Sequence, residues 1–65
     1  MISYDPLWKL LIDKKIKKME LCNIADISTA TIAKMGKSEY VALPILEKIC
    51  LTLGCRIEDV IEIKK

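Results

Sequence analysis

Sixty-five residues make one domain spanning 1–65, in which folding hides only about 60% of the surface of the unfolded chain. Hydrophobic residues make up 52%, mostly Ile and Leu with no Phe, one Trp and two Tyr, which suits a small aliphatic core. Eleven basic against nine acidic residues leave +2, too mild by itself to indicate nucleic acid; neither a signal peptide nor a membrane span is visible, so a cytoplasmic protein is expected.

The first residues, Met1–Tyr4, read as extended or frayed. Asp5-Pro6 reads as a helix start, with Asp5 accepting hydrogen bonds from free amides and Pro6 in the first turn, where no amide partner is needed. Leu7, Leu10 and Leu11 share one face of the helix that follows, widened by Trp8 and Ile12, and the pattern runs to about Lys15. Trp8 fits this stripe as a core anchor. A second short helix is expected from Lys17 to Ala25, with Leu21, Cys22 and Ala25 inward and Asp26 as its interruption. Ser28 is placed to cap a third helix, Thr29–Met35, whose inner positions are Ile32 and Met35. Gly36 follows at the place where a residue of positive φ ends a helix.

Ser38–Leu43 reads as a loop, and Pro44 opens a fourth helix with Leu46, Ile49, Cys50 and Leu53 inward and Gly54 closing it. Ile57, Val60 and Ile61 are spaced for one short last helix, while Ile61–Lys64 alternates and equally suits a strand. Four to five short helices with tight connections define an all-α globule. The three cysteines (Cys22, Cys50, Cys55) are odd in number, stand in apolar stretches and have no histidine beside them. They read as three buried free thiols and form neither a disulfide framework nor a metal site. No nucleophile and base are assembled, and so short a chain has little with which to wall off a ligand pocket. Neither an enzyme, a cofactor nor a small-molecule ligand is expected.

The unit from about 18 to 36 carries the functional signal. Two short helices joined at a steep angle need a small residue at their closest approach, which Cys22 supplies. Their turn needs a residue that tolerates the left-handed conformation, which Asp26 supplies. Ile27, Ile32 and Met35 anchor the unit. The outer face of its second helix then carries Thr29, Ala30, Ala33, Lys34 and Lys37, short or basic side chains that let a helix lie deep in a major groove. Charge agrees: from Lys14 to Lys37 six lysines stand against Glu20 and Asp26, a local +4 in a chain of +2.

The stretches KKMELCNIADISTATIAKMGKSE (Lys17–Glu39) and LEKICLTLGCRIEDVIE (Leu46–Glu62), preceded by LWKLLIDK (Leu7–Lys14), resemble the phage-repressor and Cro-like helix-turn-helix regulators. The resemblance covers nearly the whole chain and is nearest to the short single-domain members. It implies a lambda-repressor-like fold of five helices whose third helix enters the major groove. Thr29, Ala30, Ala33 and Lys34 would face base edges. Lys17, Lys18, Ser28, Lys37, Ser38 and Tyr40 would meet phosphates, although Tyr40 could instead pack on its loop. Two positions depart from the family pattern. Lys17 stands where Ser or Thr is usual, which loses a helix cap, and Asp26 stands where Gly is usual.

The function implied is sequence-specific binding of double-stranded DNA by a transcriptional regulator, a repressor acting as a homodimer, with recognition helices about 34 Å apart. The alternative is an interaction module of the same fold, such as an antitoxin-like partner. The dimer surface is expected among Ile57, Val60, Ile61 and Ile63, or at Ile2 and Tyr4.

Overall fold

The computed structural model describes all 65 residues. Four helices form where apolar spacing places them: α1 (Asp5–Lys14), α2 (Lys18–Ala25), α3 (Thr29–Gly36) and α4 (Leu43–Leu53). The fifth expected helix is a single 3-10 turn, Ile57–Asp59, tied off by the Asp59 carboxylate accepting from the Arg56 N–H at 3.1 Å. No helix is long and apolar enough to cross a membrane.

The two ends of the chain form an antiparallel ribbon. Strand β1 (Ile2–Ser3) pairs with β2 (Glu62–Ile63), with Ile2 opposite Ile63 and Ser3 opposite Glu62. The ribbon continues one residue further, where Lys64 N–H donates to the Met1 carbonyl at 2.7 Å. The opening residues are therefore paired, and the alternating tail resolves as a strand. Asp5 does not cap α1. Its own N–H donates to Ser3 Oγ at 3.2 Å, and its carboxylate pairs with Lys64 Nζ at 2.8 Å. The hydrogen bond and charge of Lys64 hold the Asp5 carboxyl below its ordinary range.

The core is a single cluster of thirteen buried residues drawn from every helix, the 3-10 turn's successor and the N-terminal segment. Leu7, Leu11, Leu21, Met35, Leu46, Ile49 and Val60 fill its centre, and Tyr4 closes one side. Ile32, Cys22, Ala25 and Ile27 bind the helix-turn-helix unit to it, as their spacing predicts. Five inward assignments change. Ile12 is 75% exposed, because the stripe of α1 ends at Leu11; Leu10 and Trp8 are half-buried. Cys50 and Cys55 are half-buried where full burial is expected, and only Cys22 lies inside. Burial first, and then the neighbouring Cys50, pushes the Cys55 thiol up.

All four helices end in the same way, and only one of them uses glycine. Lys15 (φ 58°), Asp26 (φ 55°), Ser38 (φ 59°) and Gly54 (φ 64°) each take the left-handed conformation just past a helix. In each case the next residue reaches back five positions. Ile16 donates to the Leu11 carbonyl at 2.9 Å, and Ile27 to Cys22, Glu39 to Lys34 and Cys55 to Cys50, each at 3.0 Å. This is the Schellman closure, which satisfies carbonyls that the helix end leaves free. Its usual apolar clasp joins the two residues of each such bond, and the types are right for it at Leu11/Ile16, Cys22/Ile27 and Cys50/Cys55. The third helix has Lys34 and Glu39 instead. Gly36 is thus misread by sequence: it is the last residue of α3, with no positive φ, and the left-handed position falls two residues later on Ser38.

Candidate nucleic-acid interface

The helix-turn-helix unit consists of α2, the three residues Asp26, Ile27 and Ser28, and α3. Asp26 supplies the left-handed bend, Ile27 is 8% exposed and pins the turn to the core, and Ser28 caps α3. The Ser28 hydroxyl accepts from Thr31 N–H at 3.2 Å and shares a 2.9 Å hydrogen bond with the Thr31 hydroxyl. At about 100° per residue, Thr29, Ala30, Ala33, Lys34 and Lys37 fall within an arc of roughly 140°. Ile32 and Met35 lie outside that arc and are buried. Sequence places the same residues on the two sides.

All ten residues assigned to DNA contact are exposed: Thr29, Ala30, Ala33 and Lys34 on α3, Ser28 at its cap, Lys17 and Lys18 at the start of α2, and Lys37, Ser38 and Tyr40 after α3. Tyr40 is 79% exposed, so it does not pack on the loop. Local chemistry shapes the basic flank. Lys17 carries no side-chain acceptor and cannot cap α2; instead Glu20 Oε1 accepts from the Lys17 N–H at 3.2 Å, one half of a reciprocal capping pair. Glu20 is thereby used by the helix end.

Lys18 is not a free cation. Its Nζ lies 4.4 Å from the centroid of the Trp8 ring, within the range of a cation–π attraction. The ring steadies the ammonium at the entrance of α2. Sequence gives no sign of this pairing, because the partners are ten positions apart on different helices. A second feature missed by residue-type reasoning belongs to the backbone. The first-turn N–H groups of Thr29 and Ala30 have no acceptor within α3, and the helix dipole makes that end attractive to an anion.

A short, smooth recognition face and a lysine-bearing flank on a three-residue turn are what a groove-reading helix-turn-helix requires. Residues 6–65 match the Cro/C1-type HTH DNA-binding domain family, and the chain belongs to it. It is a DNA-binding helix-turn-helix domain.

Among solved structures, the chain is similar to the crystal structure of transcriptional regulator VanUg, form II. The two are 49% identical with a TM-score of 0.90 over 94% of this chain and 81% of that one. No curated protein matches.

Proposed function

We propose that this domain is a cytoplasmic transcriptional repressor that binds a short palindromic operator as a homodimer, reading bases with α3 and holding phosphates with the lysines around it. The exposed face of Thr29, Ala30, Ala33 and Lys34 carries this reading. Apart from Lys34 these side chains are short, so direct readout is sparse and sequence-dependent DNA shape supplies part of the discrimination. Lys17, Lys18 and Lys37 add affinity without sequence preference. The similarity to a transcriptional regulator at 49% identity supports the regulatory role.

The surface that best suits a second copy is the outer face of α4 with the 3-10 turn. Leu43 and Leu51 are 73% and 78% exposed, and Leu43, Pro44, Glu47, Cys50 and Ile57 line an open hollow of about 480 Å³. Of the positions that sequence puts forward for dimerisation, Tyr4 and Val60 are committed to the protein's own core, Ile2 and Ile61 are half-buried, and Ile57 and Ile63 remain available.

The test is gel-shift titration on a selected operator and on random DNA at two salt concentrations, with Leu51→Glu compared by light scattering. Salt-sensitive, sequence-selective binding by wild type, with weakened dimerisation in Leu51→Glu, is expected. Each phosphate neutralised adds about 0.9 to the slope of log affinity against log salt. Absence of any salt-dependent binding would overturn the DNA reading and leave an interaction module. An unchanged dimer in Leu51→Glu would exclude this α4 face alone.

A further inference from the structure

The segment after α3 carries three of the residues assigned to phosphate contact, yet its own sequence gives it little reason to hold one shape. Lys37, Ser38 and Tyr40 are exposed, and Ser38 sits in the left-handed conformation without glycine's freedom. The Schellman closure there also lacks the apolar clasp that residue type offers at the other three helix ends. Lys34 and Glu39 occupy the two positions, and both are exposed.

A tether from elsewhere in the chain supplies what is missing. Tyr4, 1% exposed, donates its hydroxyl to the Glu39 carbonyl at 2.7 Å across 35 residues of sequence. Its ring is packed in the core, and along the chain the residue joins β1 to the start of α1, so the hydroxyl is a fixed point. The Glu39 N–H is meanwhile bonded to the Lys34 carbonyl, and the Ser38 N–H to Met35 at 3.0 Å. Glu39 is thus held on both sides, by α3 through its amide and by Tyr4 through its carbonyl.

We infer that Tyr4 is a positioning residue for DNA binding: through Glu39 it fixes the backbone that presents Lys37, Ser38 and Tyr40 to the phosphates. This rests on the reading that the loop touches DNA. The tether also explains why the N-terminal segment is sewn into the fold by the ribbon with β2, since β1 immediately precedes the tyrosine that reaches the loop.

Tyr4→Phe keeps the ring and removes only the hydroxyl. Affinity is expected to fall roughly two- to tenfold, the fold-change that one net hydrogen bond represents. The loss should be equal on operator and random DNA, because phosphate contacts carry no base preference. A purely structural role would not act this way, so the decisive readout is coupling. The fold-loss caused by Lys37→Ala in wild type should shrink in the Tyr4→Phe background. Val60→Ala, which weakens the core without touching the loop, should leave that loss unchanged. Amide hydrogen exchange of wild type adds a test that needs no variant to fold: the Glu39 amide should be protected well above a free loop amide.

Additive effects of Tyr4→Phe and Lys37→Ala, wild-type affinity in Tyr4→Phe, or an unprotected Glu39 amide would each overturn the inference. If Lys37→Ala, Ser38→Ala and Tyr40→Phe all bind as wild type does, the loop is not part of the interface. The assignment of these contacts then fails with the inference, while base reading by α3 is judged separately through Lys34.

Discussion

The two glycines should respond to alanine with opposite signs. Gly36 closes α3 in an ordinary helical conformation, and a Cβ built there meets nothing within 4 Å. Gly36→Ala therefore removes unfolded-chain freedom and places a better helix former without a clash, a gain of about 0.5–1 kcal/mol. Gly54 is equally open in space, but its φ of +64° is the left-handed one. Alanine there meets a left-handed penalty of about 1–2 kcal/mol, partly offset by the same unfolded-state gain, for a net loss of about 1 kcal/mol. In a domain of this size 1 kcal/mol moves Tm by about 4–8 °C. Thermal unfolding followed by circular dichroism should thus raise Tm for Gly36→Ala and lower it for Gly54→Ala, with the two variants roughly 10 °C apart. The sequence pattern alone, with a glycine after each of two helices, predicts a loss at both sites. A fall in Tm for Gly36→Ala would refute the placement of the left-handed residue on Ser38.

Two further outcomes follow from named contacts. Burial holds the Tyr4 hydroxyl above its ordinary pKa of about 10. A group whose pKa is raised by folding contributes stability that is complete below the unfolded value and is lost as pH rises through the folded one. Denaturant midpoints should therefore decline above about pH 10, less steeply in Tyr4→Phe; identical slopes would remove Tyr4 as the cause. The Lys18 ammonium over Trp8 makes the single tryptophan a reporter of the α2 entrance. Its emission should change on DNA binding as Lys18 turns toward a phosphate, and the change should vanish in Lys18→Ala. An unaltered response in that variant would show that Lys18 stays away from the backbone.

Much of this fold is legible in the sequence because each helix carries an apolar stripe of the right period, and Ser28 and Gly54 do at their helix ends what their chemistry favours. The recognition face was legible for the same reason: once Ile32 and Met35 are buried, Thr29, Ala30, Ala33 and Lys34 have nowhere to go but outward. The misses share a physical cause. Nothing in a lysine or a serine announces the left-handed conformation, so it went unread at Lys15, although the stripe puts the end of α1 there, and at Ser38, where Gly36 drew the stop two residues early. Strand β1 is two residues long, too short for alternation to register, the alternating tail suits helix and strand equally, and their pairing joins opposite ends of the chain. The Tyr4–Glu39 bond and the Lys18–Trp8 contact likewise span separations that no local pattern encodes. Asp5 shows a subtler failure. Its residue type suits a cap, and the structure uses its charge on Lys64 instead.

Reading of DNA by α3 is tested most directly by selecting from a random-sequence duplex pool at two salt concentrations, with wild type and Lys34→Ala in parallel. Enrichment of a palindromic site by wild type is expected, with affinity falling as salt rises and with the preference weakened or lost in Lys34→Ala. Selection of the same site, equally strongly, by both proteins would contradict the role given to Lys34 on α3, and no enrichment by wild type at either salt concentration would contradict sequence-specific recognition altogether.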